Sequence, residues 1–328
     1  MIQGTRRRLT PPSLPPPELS VNLENARIFE VGPRDGLQNE SAILSVDQKI
    51  EFIERLVGAG VTDIEIGSFV HPKWVPQMAD TDQVAARIAP ADLAGENGVR
   101  YWALIPNRRG LERALAAGVK YISTAISSSE AHNQSNLNRS IADSLDDLRD
   151  SFKLAKDNGC QLRAYISTVF GCPYEGEVDF ARVMDIAEQL LDFGADLIAL
   201  GDTIGAGTPP QVEDGCRRML EAFGPERVAL HLHDTQGLGL TNALLAWRVG
   251  MRQFDSAVGG TGGCPYAPSA AGNLGSEDLI HLFNSCGIET GLDLEKLLQT
   301  TSWLEKNTPI ESVSRYFQYR KSAEGSTL

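Results

Sequence analysis

The chain is predicted to fold as one α/β domain, a (β/α)8 TIM barrel with extra C-terminal helices, and three observations predict it. Short β-branched runs alternate with segments of helical periodicity along most of the 328 residues. Several helical segments close on a glycine that the next strand follows at once. The residues able to do chemistry fall where strands end, which is where a barrel places its reactive groups.

The strands expected are Arg27–Val31, Thr62–Ile66, Tyr101–Ile105, Tyr121–Ile126, Leu162–Thr168, Leu197–Leu200, Val228–His231 and Phe254–Val258. Near-continuous apolar runs of this kind suit parallel strands covered on both faces. Between them, Val46–Val57, Leu111–Ala117, Ile141–Ala155, Val178–Phe193 and Thr241–Val249 carry apolar residues at the spacing of one helix face. Ala59-Gly60, Ala117-Gly118, Asn158-Gly159 and Phe193-Gly194 supply the left-handed residue that ends a helix. An open doubly wound sheet would instead show a glycine-rich phosphate loop after its first strand. Here that loop reads Gly32-Pro33-Arg34-Asp35-Gly36, which is not G-x-G-x-x-G.

The barrel domain is expected over residues 26–310. Residues 1–25 hold Arg6-Arg7-Arg8 and a run of prolines, with no acid before Glu18, and read as a disordered tail. An Arg-rich, acid-poor start also fits a mitochondrial transit peptide, although the prolines oppose an amphipathic helix. Residues beyond about 288 read as extra helices, a frequent place for homo-oligomer (dimer) contacts, and 311–328 as a C-terminal tail.

A hydrophobic content of 42% allows a large core, and the formal charge of −13 argues against nucleic acid or an anionic membrane as partner. No apolar run approaches the roughly 20 residues of a spanning helix. The five cysteines, Cys160, Cys172, Cys216, Cys264 and Cys286, are odd in number and scattered, so a reducing, cytoplasmic setting fits better than a disulfide framework.

His231 and His233, two apart at a strand end, project from one side of the strand and make half of a divalent-metal site. Asp35, after the first strand, and Asn273, after the eighth, supply oxygen ligands. Mixed N/O donors without thiolate favour Mg2+ or Mn2+, with zinc or cobalt able to enter in vitro. Asp234-Thr235 is placed to orient the imidazoles. Arg34, beside Asp35, is a cation able to stabilise an enolate or carboxylate oxygen. Glu65 lies in the apolar Ile64-Glu65-Ile66 and needs a partner if buried; Arg34 would satisfy it. Asp202 ends strand six. Cys264 follows Gly259-Gly260-Thr261-Gly262-Gly263, a loop on which a thiol of lowered pKa could exchange protons near neutrality. Cys172 in Gly171-Cys172-Pro173-Tyr174 repeats the motif without the glycine run and reads as structural or substrate-lining. No G-x-S-x-G elbow or zinc-type C-x-x-C pair is present.

Gly32-Pro33-Arg34-Asp35-Gly36-Leu37-Gln38-Asn39-Glu40 resembles the opening motif of 3-hydroxy-3-methylglutaryl-CoA (HMG-CoA) lyases. The likeness continues through Pro72-Lys73-Trp74-Val75-Pro76-Gln77-Met78, Gly171 to Gly176, Leu200 to Gly205, His231 to Thr235, and Gly262 through Leu274. It spans residues 26 to about 305. The resemblance implies retro-Claisen cleavage of a CoA-thioester substrate into acetyl-CoA and acetoacetate. It implies Asp35, His231, His233 and Asn273 as metal ligands, Arg34 and Gln38 as substrate contacts, and Arg34, Cys264, Glu65 and Asp202 as catalytic residues. The base that takes the hydroxyl proton stays open between an unligated Asp35 oxygen and a histidine. Ser41 stands where the family usually has lysine, His71 replaces a small residue, and Pro268-Ser269-Ala270-Ala271 departs from the usual pattern. Ser129-Glu130-Ala131-His132-Asn133 is similar to the synthase branch of the superfamily. Two alternatives follow: a lyase on a bulkier 3-hydroxy-3-alkylglutaryl-CoA, or a synthase condensing acetyl-CoA with a keto acid.

Overall fold

The computed structural model describes residues 25–88, 90–93, 95–263 and 272–323. Eight parallel strands close into a barrel in sequence order, β1 (Arg27–Glu30), β2 (Asp63–Ser68), β3 (Arg100–Leu104), β4 (Tyr121–Ser127), β5 (Gln161–Ser167), β6 (Leu197–Asp202), β7 (Val228–Leu232) and β8 (Gln253–Ser256), with β8 pairing back onto β1. Helices lie between the strands on the outside, so the predicted (β/α)8 architecture is the one observed. The N-terminal tail expected over 1–25 falls, but for its last residue, outside the described residues, as do Cys264 and Pro268 to Ala271.

Strand residues of one parity face the helices and those of the other face the barrel axis, which follows from the two-residue repeat of a strand. Leu162, Ala164, Ile166, Ile198, Leu200, Val228 and Leu230 belong to the large core under the helices. Phe29, Trp102, Tyr121, Tyr165, Leu197, Ala199 and Ala229 fill the barrel itself. Charged residues take inward positions in the same parity. Asp63 accepts from Arg27 (2.7 and 2.8 Å), from Arg100 (2.6 Å at each oxygen) and from Trp102 Nε1 (3.0 Å), plugging the end where strands begin. The opposite end is open to chemistry.

Beyond β8, helices Ser276–Ser285 and Leu294–Asn307 pack on the barrel, the latter against helix Val46–Gly58. Within the C-terminal tail expected over 311–328, residues 315–323 form a docked helix, Arg315–Ala323. Phe317 is buried beneath it, and Asp278 accepts from the Arg315 and Tyr316 backbone N–H groups (3.2 and 2.6 Å). The buried Phe317, the Asp278 cap, the stack of Tyr316 on His281 and the ion pairs Arg320–Glu295 and Lys321–Glu305 hold this helix, and none of these contacts produces a helical period in the sequence. Among the described residues, no helix is long and apolar enough to cross a membrane.

Candidate active site

The wide helical turn Gly32–Gly36, straight after β1, carries Arg34 and Asp35. His231 sits in β7 with its side chain toward the barrel, and His233 follows the strand. The segment after β8 runs back antiparallel to the end of β7: Leu274 N–H donates to Leu232 O (3.2 Å) and Asp234 N–H to Gly272 O (2.8 Å). This pairing puts Asn273 opposite His233. Ligand atoms of Asp35, His231 and His233 all lie within 4.8 Å of one another.

Asn273 spends its amide N–H bonds on Asp35 Oδ2 (2.9 Å) and Thr261 O (3.0 Å), leaving Oδ1 buried with no hydrogen-bond partner; His233 Nδ1 is also buried and unpartnered. Native structures rarely leave such groups orphaned. Here the spare atoms are lone pairs beside a carboxylate and a second imidazole, the donor set of a divalent cation. Burial pushes the His233 imidazole down to about 3, a neighbouring His231 adding to the shift, so the ring is neutral as a ligand must be. For Asp35, burial raises the pKa, but Arg34, His231 and His233 outweigh it and hold the carboxyl down at about 2.

The orienting partner of His231 is Asp255, not the adjacent Asp234. Residues 231 and 255 are register neighbours across β7 and β8, and His231 Nδ1 lies 3.0 Å from Asp255 Oδ2. A carboxylate on Nδ1–H leaves Nε2 as the coordinating nitrogen. Asp234 lies past the strand end, where its carboxylate accepts from Gly239 N–H (2.8 Å) and pairs with Arg315 (3.4 Å). The other Asp255 oxygen pairs with Arg163, whose Nη1 donates to Tyr165 Oη (2.6 Å). Arg163 and Tyr165 alternate inward along β5. Sequence reading passed over all three, because inward parity on β5 and β8 only gains meaning once the strands are neighbours.

Arg34 pairs with Asp35 and, through Nε (2.6 Å) and Nη2 (2.5 Å), with Glu65 Oε2. Burial lowers the guanidinium pKa, but the two acids more than restore it, and Arg34 stays charged. Glu65 Oε1 is buried without a partner. Asp202, at the end of β6, accepts from the Ala206 and Gly207 N–H groups (3.0 and 3.1 Å); burial lifts its carboxyl to about 6 against those bonds. Gln38 is half-buried just beyond the Arg34 turn. Cys264 lies outside the described residues, but the loop leading to it passes over the site. Gly262 has φ 92°, and a Cβ there would come 2.7 Å from Asn273 Nδ2 and 3.0 Å from Asp35 O, so this position needs glycine on both counts. Cys172 is structural: its buried thiol donates to Ser129 Oγ (2.9 Å) and accepts from the Tyr174 and Glu175 N–H groups (3.3 and 3.4 Å). His132 is buried with Nδ1 3.0 Å from Ser127 Oγ.

An eight-stranded barrel with a carboxylate, two imidazoles, an amide and a doubly paired arginine at the C-terminal mouth is the frame of a barrel enzyme, and that mouth is its candidate divalent-cation site. Residues 25–304 match the family model described as HMGL-like, and the chain belongs to that family. It is 44% identical over 296 residues to hydroxymethylglutaryl-CoA lyase YngG of Bacillus subtilis, covering 90% of this chain and 97% of that one. It is 45% identical over 288 residues to (R)-citramalyl-CoA lyase of Chloroflexus aurantiacus, covering 86% and 90%. The structure of an HMG-CoA lyase from Acinetobacter baumannii in complex with coenzyme A and 3-methylmalate superposes with a TM-score of 0.85 at 35% identity, covering 94% and 98%.

Proposed function

We propose that this protein is a divalent-metal-dependent carbon–carbon lyase that cleaves 3-hydroxy-3-methylglutaryl-CoA to acetyl-CoA and acetoacetate. The observation that carries this reading is the convergence of Asp35, His231 and His233 within 4.8 Å, with Arg34 bonded to Asp35. Mg2+ or Mn2+, held by these three side chains and Asn273, would acidify the substrate's tertiary hydroxyl and fix its orientation. Arg34 and Gln38 are the substrate contacts. Held by Asp35 and Glu65, the Arg34 guanidinium needs no rearrangement to meet the negative charge that develops on the thioester oxygen as the C2–C3 bond opens. The hydroxyl proton goes to Asp202. Asp202 stands at the end of β6, at the barrel mouth, and burial lifts its carboxyl to about 6, near enough to neutrality for a base that takes and returns a proton. The electron pair of the broken bond passes to the acetyl-thioester enolate, and Cys264, next after Gly263, returns a proton to its carbon.

The synthase alternative is not favoured; the two named relatives above are lyases. The test is acetoacetate release from HMG-CoA by the purified protein with Mg2+ or Mn2+, run beside (R)-citramalyl-CoA and a 3-hydroxy-3-ethylglutaryl thioester. Cleavage of HMG-CoA at the highest kcat/KM supports the reading. A metal-loaded protein that leaves HMG-CoA intact, or releases free CoA from acetyl-CoA plus 2-ketoglutarate, overturns it.

A further inference from the structure

Two fully buried glutamates take no part in the chemistry above, and no cation pairs with either among the described residues. Both end on the root of the glycine-rich loop. Glu30 Oε1 accepts from Gly32 N–H (2.9 Å), where the Arg34–Asp35 turn begins, and from Val258 N–H (2.9 Å), where the glycine loop begins. Its Oε2 accepts from Ser276 Oγ (2.6 Å). Glu277 accepts from Gly259 N–H with both oxygens (3.0 and 3.1 Å) and from Thr301 Oγ1.

The next peptide, which carries the Gly259 carbonyl, is held as well. Its carbonyl accepts from Ser312 Oγ (3.1 Å), Val313 N–H (2.9 Å) and Ser314 N–H (3.3 Å). These three residues lie beyond the 25–304 stretch that the family model matches. Gly259 and Gly260 both have positive φ, at 72° and 63°, so the backbone reverses here and its exit direction is set by whatever fixes these peptides. Downstream, Thr261 O receives the Asn273 amide and Gly262 packs on Asp35.

Burying a carboxyl group without a cation is costly whether it keeps its charge or takes up a proton to avoid it, and hydrogen bonds only partly offset that cost. A core that needed shape alone would use an apolar residue in both places. We propose that Glu30 and Glu277 are positioning residues. Together with Ser312–Ser314 they fix the root of the glycine loop relative to the Arg34–Asp35 turn, and so set the direction in which the chain leaves Gly259 and Gly260 toward Cys264. This rests on the lyase reading above, since the loop matters through the reaction it covers.

The experiment compares Glu277→Ala, Glu277→Gln and Ser312→Ala with the wild-type holoenzyme. It measures kcat, KM for HMG-CoA, Mn2+ affinity by electron paramagnetic resonance, and the thermal midpoint. Glutamine keeps an oxygen for Gly259 N–H and Thr301 Oγ1; alanine removes it. The expected pattern for Glu277→Ala is a fall in kcat of about tenfold to a hundredfold, the scale of a misplaced reacting group. KM and Mn2+ affinity should stay within about threefold. Glu277→Gln should recover most of kcat, and Ser312→Ala should show the same split on a smaller scale. Unchanged kcat in both alanine variants overturns the proposal. So does a loss of kcat matched by equal losses in metal affinity and folded fraction. Should Glu277→Ala not fold, Ser312→Ala alone decides by the same criteria. A wild-type protein that fails to cleave HMG-CoA counts against the lyase reading instead.

Discussion

Asp255 stands between a guanidinium and an imidazole, and Asp255→Asn separates its two duties. One oxygen pairs with Arg163 and the other holds His231 Nδ1–H, with the carboxylate 1% exposed, so solvent screens neither bond. Asparagine fits the space but offers a single acceptor. The buried Arg163 charge claims that oxygen, which turns the amide NH2 toward His231 Nδ1. An imidazole facing a donor there must move its proton to Nε2, the nitrogen that would otherwise bind the ion. The expected loss in Mn2+ affinity is about 10–100-fold, the usual effect of removing such a partner, or about 1.4–2.8 kcal/mol. Removing one charge of a buried pair also costs about 3–5 kcal/mol of stability, and the retained hydrogen bond places this variant toward the lower figure. Mn2+ titration followed by electron paramagnetic resonance gives the first quantity, and urea unfolding of the apo-protein gives the second. Adding Arg163→Met should restore stability, since the stranded charge is gone, without restoring metal affinity. A Mn2+ Kd for Asp255→Asn within about twofold of wild type would refute the assignment of Asp255 as the residue that fixes the His231 tautomer.

Arg34→Lys keeps the charge but not the fork that grips Asp35 and Glu65; kcat should drop about 10²–10³-fold in steady-state assays, with folding intact by circular dichroism. Gly262→Ala forces a Cβ toward Asn273 Nδ2 at a positive φ, so both Mn2+ affinity and kcat should fall, whereas Gly263→Ala, with nothing within 4 Å of its Cβ, should change neither. Burial raises the Glu30 carboxyl from 4.5 to about 8, so the folded state holds a proton that the unfolded chain gives up. Its stabilising contribution is complete below about pH 4.5 and is lost as pH rises through 8. Glu30→Gln should therefore flatten the decline in urea midpoint between pH 5 and pH 8, and parallel wild-type and variant curves would count against it. Cys264→Ala should lower turnover while metal content by elemental analysis stays the same; an unaffected rate returns the thiol to a spectator role.

Much of the site was legible before any strand was placed. His231-Leu232-His233 at a strand end and Arg34-Asp35 after the first strand each announce chemistry, because strand parity and the cost of isolated charge are local rules. Glu65 was legible for the same reason, as an acid inside an apolar run that Arg34 had to neutralise. Asp255 was not. It lies in Phe254-Asp255-Ser256, where nothing distinguishes it from a strand-end polar residue, and its role exists only because β8 hydrogen-bonds to β7 with 255 opposite 231. Asp234 looked the better partner because it is closer in the chain, yet chain proximity past a strand end gives no control over direction.

The alternation of strands and helices, the barrel, and the donors that cluster at its mouth can be read from residue order alone, since these follow from residue type and a repeat of two or of 3.6. Which carboxylate orients which imidazole is settled in the folded chain, by the register of β7 against β8. The fold also brings Glu30, Glu277 and a C-terminal segment expected to be a tail onto successive peptides at Val258 and Gly259, the root of the glycine loop. Those pairings join residues up to about 250 positions apart, and side-chain contacts at that separation are set by sheet register and loop path, which no local period encodes.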